Sequence, residues 1–98
     1  MASQAQYEYP AGITFPGVFA MAAHMYADKY GIPLKELKRH MAEVAVKNHH
    51  HGSRNPKAHF QKEIVTETVL GGMMVADPLQ LFDCCPFSDG ASAVVVAE

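Results

Sequence analysis

The sequence is short of the features that mark several protein classes: it has no tryptophan, two cysteines and 18% charged residues over 98 positions. The two cysteines, Cys84 and Cys85, are adjacent, and adjacent cysteines very rarely pair, so we expect no disulfide framework. No apolar run approaches the length of a membrane-spanning helix, and the N-terminus lacks the apolar core of a secretory signal. The basic residues are spread along the chain, which predicts no nucleic-acid partner. These absences favour a cytoplasmic protein in a reducing compartment.

What the chain does contain is enough apolar sequence for one small domain. Hydrophobic residues make up 49% of the sequence, and the formal net charge is −2. That composition is typical of a globular chain rather than a disordered one. A chain of this length has room for a single domain, which buries roughly two-thirds of its unfolded surface.

Two amphipathic helices dominate the first half of the sequence. The first runs from Phe15 to Tyr30, with Pro16 near its start and Gly31 as its stop. Its predicted apolar face consists of Phe15, Phe19, Ala22, Ala23, Tyr26 and Tyr30. The second opens at Pro33 and should end near residues 48–52. Its predicted apolar face is Leu34, Leu37, Met41, Val44 and Ala45, and its predicted solvent face is Lys35, Lys38, Arg39 and Lys47.

The rest of the chain is less regular. Residues 1–14 read as an extended lead-in that lies against another surface, because Tyr7, Tyr9 and Ile13 are too apolar for a free tail. Residues 57–77 are irregular, with a weak extended or helical piece over residues 63–70. We expect a loop with one short strand over residues 72–81.

The last apolar run predicts a strand that has no partner in the sequence. Every side chain from Ala91 to Ala97 is small or β-branched, without polar alternation, which is typical of a strand covered on both faces. Nothing else in the sequence offers the neighbouring strands. We therefore expect that the chain is a piece of something larger or that it completes its sheet with another molecule.

A run of three histidines invites a metal assignment, because imidazole binds zinc, copper and nickel. Adjacent residues of a helix point in different directions, so His49, His50 and His51 do not converge on one ion. Histidines in a last helical turn also interact favourably with the negative helix end. We expect no metal here, and we expect His24 to be a packing residue at the edge of the first helix.

The cysteines and a cluster of cations are the other candidates for chemistry. A thiolate nucleophile needs a base and an oxyanion site, which the sequence does not supply beside Cys84 or Cys85, so packing is favoured. Around a turn fixed by Pro56, the cations Arg54 and Lys57 gather with His59. Such a cluster suits phosphate oxygens, and it is equally consistent with a solvated loop.

The order of three unusual stretches resembles the thiolase superfamily, in particular the sterol-carrier-type and archaeal acetoacetyl-CoA thiolases. The stretches are TFPGVFAMAAHMYADKYGIPLKEL, AVKNHHHGSRNPKAHF and ADPLQLFDCCPFSDGASAVVV. The resemblance implies an α/β thiolase-like fragment that is mostly helical, with two main helices, irregular loops and one buried C-terminal strand. It also implies one internal segment of a thiolase N-terminal half, with residues 15–82 in the loop domain and residues 83–98 forming the turn and core strand.

The same resemblance implies where coenzyme A lies. The turn from Asp83 to Ser88 resembles the loop that passes the pantetheine arm, with Cys85 where many relatives have serine. The loop with the Asn-Pro pair is implied to lie near the nucleotide end of coenzyme A. Its candidate residues are Arg54, Lys57, His59 and Phe60. Phe15 follows Thr14 where many thiolases have a His-Met pair of the acyl pocket.

The implied function is that of the coenzyme A-facing part of an acyl-CoA acyltransferase. No catalytic residue is expected in this chain, since the family's cysteines and histidine belong to other segments. Acyl-CoA is the expected substrate, with no tightly bound cofactor, and the expected partners are the remainder of the thiolase or a partner subunit in a homo-oligomer. Two alternatives stay open: a non-catalytic binding or assembly module, and a His-rich metal binder.

Overall fold

The computed structural model describes residues 12–97 as two long helices, a short helix and a hairpin. The helices are α1 (Phe15–Tyr30), α2 (Leu34–Ser53) and α3 (Thr66–Leu70). Strands β1 (Met74–Ala76) and β2 (Leu79–Gln80) form the hairpin, and a 3-10 helix (Leu81–Asp83) follows. Most of the lead-in predicted for residues 1–14 lies outside the described residues.

Local chemistry fixes the ends of α1 as predicted. The Thr14 hydroxyl accepts a hydrogen bond from the backbone N–H of Gly17 at 3.2 Å, which caps the helix start. Gly31 takes a left-handed conformation, with φ of 63°, and ends the helix. α2 begins directly after Pro33 and continues to Ser53, one residue beyond the predicted range.

A small apolar core lies where α2 packs on α3. Its buried members are Ala42 and Ala45 of α2 and Val69 of α3, of which Ala42 and Val69 have no exposed surface. Partly buried side chains of Val46, Ile64 and Phe82 pack around them. Small residues on α2 let the backbones of the two helices approach closely, so the second helix packs here through alanine.

The face of α1 predicted to be buried is not the face that packs. Phe15, Phe19, Tyr26 and Tyr30 are all at least half exposed. The buried residues of α1 are Ala20 and Ala27, on the side that meets α2 and the hairpin. The helical period was predicted correctly, but alanine permits a closer approach of α1 to its neighbours than a row of aromatic rings does. Within residues 12–97 the aromatic side remains exposed.

A second correction concerns the polar face of α2. Lys38 was predicted to face solvent with Lys35, yet its side chain is only 11% exposed and forms an ion pair with Asp83. The cause is the 3-10 helix, which packs against α2 and brings the Asp83 carboxylate over Lys38. Lys35 remains exposed, as predicted.

The hairpin contains one strand more than was predicted. β1 and β2 pair antiparallel, with Met74 opposite Gln80 and Ala76 opposite Leu79, and an irregularity between the two pairs. The turn is Asp77-Pro78, whose peptide bond is cis. The hairpin lies against α1 and carries the chain into the 3-10 helix.

The predicted buried strand at the C-terminal end is not formed. Residues 85–97 have no regular secondary structure, and Val94, Val95 and Val96 are 86%, 92% and 91% exposed. The strands in the described residues, β1 and β2, pair with each other and leave no neighbour for this run. The radius of gyration is 16.8 Å, larger than the value of about 13 Å expected for a compact domain of this length.

Candidate functional site

Two loops that are distant in sequence meet at an open cleft of about 490 Å³. Lys57 and His59 line one side, and Phe87, Ser88 and Asp89 line the other. His59 Nδ1 and Ser88 Oγ are 3.1 Å apart and share a hydrogen bond across the cleft. The cleft therefore presents a cation, a carboxylate, a hydroxyl and an imidazole around an exposed phenyl ring.

The first wall is shaped by turns at the end of α2. The Asn55 side-chain oxygen accepts the backbone N–H of Lys57 at 3.0 Å, and the Asn55 backbone carbonyl accepts that of Ala58 at 3.0 Å. Asn favours such turns because its side-chain amide bonds the backbone two residues on, and Pro favours them because its ring fixes φ. The turn places Lys57 and His59 on the cleft.

Phe60 and Arg54, which were predicted to lie near the nucleotide end of coenzyme A, are not among the residues that line this cleft. The Phe60 ring stacks on His49 with centroids 6.1 Å apart, and it also contacts the His59 ring at 4.6 Å. Gly52 allows this packing, since a Cβ there would lie 2.9 Å from the Phe60 carbonyl oxygen. Arg54 is exposed at the end of α2, outside the cleft lining.

Cys85 and Phe15 also lie outside the lining of the cleft. Cys85 is an exposed free thiol in the turn between Asp83 and Ser88. Phe15 opens α1 and packs edge to face against Phe19, with centroids 5.2 Å apart. Of the predicted site residues, the structure thus brings together Lys57, His59 and Ser88.

A buried polar group, missed by sequence reasoning, holds the start of this turn. The Asp83 carboxylate pairs with Lys38 and accepts the backbone N–H of Gln80 at 2.7 Å. The Gln80 side-chain amide donates to the carbonyls of Leu70 and Gly72, each at 2.8 Å. We name Lys38, Asp83 and Gln80 the anchor network. The reciprocal bonds between Gln80 and Asp83 are a capping box, and their spacing of three residues was the available signal.

Cys84 has the environment of a packing residue. Burial raises the pKa of its thiol, and the negative charge of Asp83 and the neighbouring Cys85 raise that pKa further, against a smaller opposing effect of Lys38. The thiol donates to the Gln80 carbonyl with sulfur and oxygen 3.6 Å apart. A raised pKa lowers the thiolate fraction near neutral pH, which is the opposite of what activates a nucleophile.

Two histidines of α2 contact the loop that follows it. His49 Nδ1 lies 3.2 Å from the Lys62 carbonyl oxygen, and His50 Nδ1 lies 2.8 Å from the Glu63 carboxylate. Within residues 12–97, no group of three His, Cys, Asp or Glu side chains is arranged to hold a metal ion. No helix in that range is long and apolar enough to cross a membrane.

His24 has a polar partner that its sequence position did not reveal. Its Nε2 lies 3.1 Å from both the carboxylate and the backbone carbonyl of Asp77, at the turn of the hairpin. His24 was predicted to be a packing residue. The contact instead fastens α1 to the hairpin, and it was missed because the two residues are far apart in sequence.

Comparison with protein families identifies the scaffold that carries these residues. The family described as Thiolase, N-terminal domain matches residues 11–98, which is most of the chain. The chain belongs to the thiolase family. The resemblance found in the sequence is therefore confirmed. The cleft and the anchor network are parts of a thiolase segment.

Curated relatives agree over nearly the whole chain. An acetyl-CoA acetyltransferase of Methanothermobacter thermautotrophicus is 43% identical over 97% of this thiolase segment and 24% of its own length. One of Methanocaldococcus jannaschii is 41% identical over 99% of the chain and 24% of its own length. Sterol carrier protein 2 of Bos taurus is 38% identical over 85% of the chain and 14% of its own length. The chain thus spans about a quarter or less of these relatives, and no solved structure matches it.

Proposed function

We propose that the chain is the coenzyme A-facing segment of a thiolase that transfers acyl groups between coenzyme A and a carbon nucleophile. In thiolysis of this kind, acetoacetyl-CoA and free coenzyme A yield two molecules of acetyl-CoA. The observation that carries the proposal is the His59 to Ser88 hydrogen bond, 3.1 Å long. It joins the loop expected at the nucleotide end of coenzyme A to the turn expected along the pantetheine arm.

The chemistry of the cleft suits the two ends of that ligand. Lys57 offers a cation for a phosphate, to which charge-assisted hydrogen bonds are strong. At the centre of the cleft, the His59 imidazole and the Ser88 hydroxyl can each donate or accept a hydrogen bond. That capacity suits the N–H and C=O of an amide in the pantetheine arm. Asp89 repels phosphate, so we place the phosphates on the Lys57 side and an amide N–H beside Asp89.

The chemical step belongs to other segments of the enzyme in this proposal. Cys84 is half-buried with a raised pKa, which makes it a poor nucleophile. The archaeal relatives are about four times longer than the matched region, which leaves ample length for the acyl-accepting and acid-base groups. We therefore expect the 98-residue chain alone to have no thiolase activity.

Kinetics of the full-length enzyme that contains this chain test the assignment. Lys57→Ala and His59→Ala should each raise KM for coenzyme A by about three- to tenfold with little change in kcat, since the lost contacts bind ground and transition states alike. Lys62→Ala is the matched control, because Lys62 is exposed and lies outside the cleft lining. KM values for Lys57→Ala and His59→Ala that equal those of the control and the wild type would refute the assignment. Thiolysis by the 98-residue chain above background would also refute it.

A second candidate function is a non-catalytic module completed by a partner chain, and the exposed valines at residues 94–96 favour it. An exposed apolar run of high β propensity is a template for pairing with another chain. Such a module should form a stable complex with its partner chain, and size-exclusion chromatography with light scattering should give that complex one defined mass. For the thiolase segment we propose instead a cytoplasmic homo-oligomer of the longer enzyme, in which the same valines complete the core sheet.

A further inference from the structure

The anchor network joins α2 to the segment that carries the turn into the cleft. The Lys38 and Asp83 side chains are 11% and 4% exposed, so both charges of the pair are largely removed from water. Separating a buried pair leaves an uncompensated charge in a poorly solvated place. The pair therefore strongly constrains where the Asp83 backbone lies relative to α2.

Gln80 constrains the same carboxylate from the opposite side. Its backbone N–H donates to Asp83, while its side-chain amide holds the carbonyls of Leu70 and Gly72 at the end of α3. The Asp83 carboxylate is consequently held by α2 on one side and by the hairpin on the other. Bonds from several elements to one carboxylate fix its position better than any single contact does.

Asp83 is also the first residue of the turn whose far end is Ser88. The free cysteines Cys84 and Cys85 lie between them, and Ser88 meets His59 across the cleft. Five peptide bonds separate Asp83 from Ser88, so the position of Asp83 limits where the short turn can place Ser88. The contact between Lys38 and Asp83 thus reaches the cleft although Lys38 does not line it.

We propose that Lys38 is a positioning residue: through the anchor network it fixes the start of the 83–88 turn and so sets where Ser88 meets His59. The proposal rests on the proposed function, in which the cleft binds coenzyme A. If the pair only stabilises the fold, its removal lowers the amount of folded enzyme and leaves KM of the folded molecules unchanged. If the pair positions the turn, its removal raises KM.

The main test neutralises the pair without stranding a charge. In the double variant Lys38→Met/Asp83→Asn, methionine replaces the lysine stem without its ammonium group, and asparagine has the shape of aspartate and retains an oxygen for the Gln80 N–H. In the full-length enzyme we expect KM for coenzyme A to rise about tenfold with kcat changed less than about twofold. Lys38→Arg retains a cation opposite Asp83 and should keep KM within about threefold of the wild type. Lys35→Met, an exposed position on the same helix, is the matched control.

A second variant retains the charge pair, so it tests position rather than stability. Asp83→Glu adds one methylene, which displaces the carboxylate by about 1.5 Å relative to the backbone. We expect KM to rise several-fold while circular dichroism at the assay temperature stays that of the folded wild type. This variant decides the question even if the neutral double variant fails to fold.

A measurement independent of coenzyme A uses the half-buried thiol of Cys84. The experiment uses the 98-residue chain carrying Cys85→Ser and measures the rate at which Cys84 reacts with Ellman's reagent. Extrapolating this rate to the fully deprotonated thiol removes the effect of the Cys84 pKa and leaves the accessibility of the turn. We expect Lys38→Met/Asp83→Asn to raise this rate by about fivefold or more, and Lys35→Met to leave it unchanged.

The outcomes separate the two proposals. Unchanged KM in both Lys38→Met/Asp83→Asn and Asp83→Glu, alongside a raised KM in Lys57→Ala, would overturn the positioning role alone. If Lys57→Ala leaves KM unchanged, the proposed function fails, and the Cys84 rate then decides whether Lys38 positions the turn. A Cys84 rate equal to that of the control would overturn the positioning role in that case as well.

Discussion

Residues 34–84 bury alanine, valine and a polar network among their own elements, whereas residues 85–97 leave three consecutive valines in solvent. The first region contains every buried member of the main core and the ion pair between Lys38 and Asp83. The second region contains a run of three valines that the described residues leave almost fully exposed.

The difference separates contacts that the described residues of this thiolase segment complete among themselves from apolar surfaces that those residues leave exposed. Helix α2 uses small residues to meet α3, and these contacts are complete in the described chain. The valine run and the ring of Phe19 on α1 are apolar surfaces that stay exposed to solvent. Apolar surface of this extent marks contact sites, and we expect the rest of the thiolase to cover it.

The largest expected effect comes from truncating the same residue type in both regions. Val69→Ala removes a side chain with no exposed surface, so we expect a loss of about 2–3 kcal/mol in the free energy of unfolding of the 98-residue chain. Val95→Ala should change it by less than about 0.5 kcal/mol, because Val95 is 92% exposed. Urea unfolding followed by circular dichroism measures both.

If the valine run is a core strand in the full-length enzyme, the difference between the two substitutions should disappear there. Val95→Ala should then cost about as much as Val69→Ala, since both side chains lose buried contacts. Val95→Ala that remains neutral in the full-length enzyme would contradict the strand assignment and favour a run that stays exposed.

Helix α1 shows how much of the fold the sequence could reveal: its ends were predictable, and its packing face was not. The ends of α1 were predictable because Thr14, Pro16 and Gly31 act locally, through a cap, a fixed φ and a left-handed stop. The side of α1 that packs was not predictable. The period of the apolar residues pointed to the aromatic face of α1. The face that packs in the structure is the one with Ala20 and Ala27. The aromatic face is equally periodic, so the pattern does not say which surface the chain covers by itself.

The site was partly predictable for a related reason. Lys57, His59 and Ser88 were implied by family motifs, and the structure brings them together. Lys38 was predicted to face solvent because lysine usually does, and its partner lies 45 positions away. Partners so distant in sequence leave no local pattern, so a buried ion pair becomes visible only in the folded chain.

A smaller effect is expected from adding volume to α2 and to α1. Ala42→Leu forces a larger side chain into a fully buried position, so we expect a loss of about 1–3 kcal/mol in unfolding free energy. Ala22→Leu on the exposed side of α1 should stay within about 0.5 kcal/mol, since leucine and alanine are both good helix formers. A comparable loss from Ala22→Leu in the 98-residue chain would show that the aromatic side of α1 is packed after all.

The two thiols offer a contrast at the boundary between the regions. Because the pKa of Cys84 is raised, its thiolate fraction near neutral pH is reduced, and we expect iodoacetamide to alkylate it about fivefold more slowly than exposed Cys85. Peptide mapping by mass spectrometry measures both rates, with Cys85→Ser as the control for crosstalk. Equal rates would contradict the burial of Cys84.

The same raised pKa links the stability of the fold to pH. The folded chain holds the Cys84 proton more tightly than the unfolded chain does, so this contribution to stability is fully present below the unfolded pKa. It is lost as pH rises through the folded pKa. We therefore expect Cys84→Ser to flatten the alkaline decline in unfolding free energy, whereas Cys85→Ser serves as the comparison in the open region.

The smallest effect is expected at the contact between His24 and Asp77, whose side chains are 48% and 64% exposed. Asp77→Asn removes the charged acceptor but leaves the backbone carbonyl that His24 also contacts at 3.1 Å. We expect a loss of about 0.2–1 kcal/mol in unfolding free energy, screened by added salt. Glu36→Gln is the matched control, because Glu36 pairs with His40 at 3.8 Å within α2 alone. A larger, salt-independent loss for Asp77→Asn would mean that α1 depends on this contact for docking on the hairpin, rather than on its buried alanines.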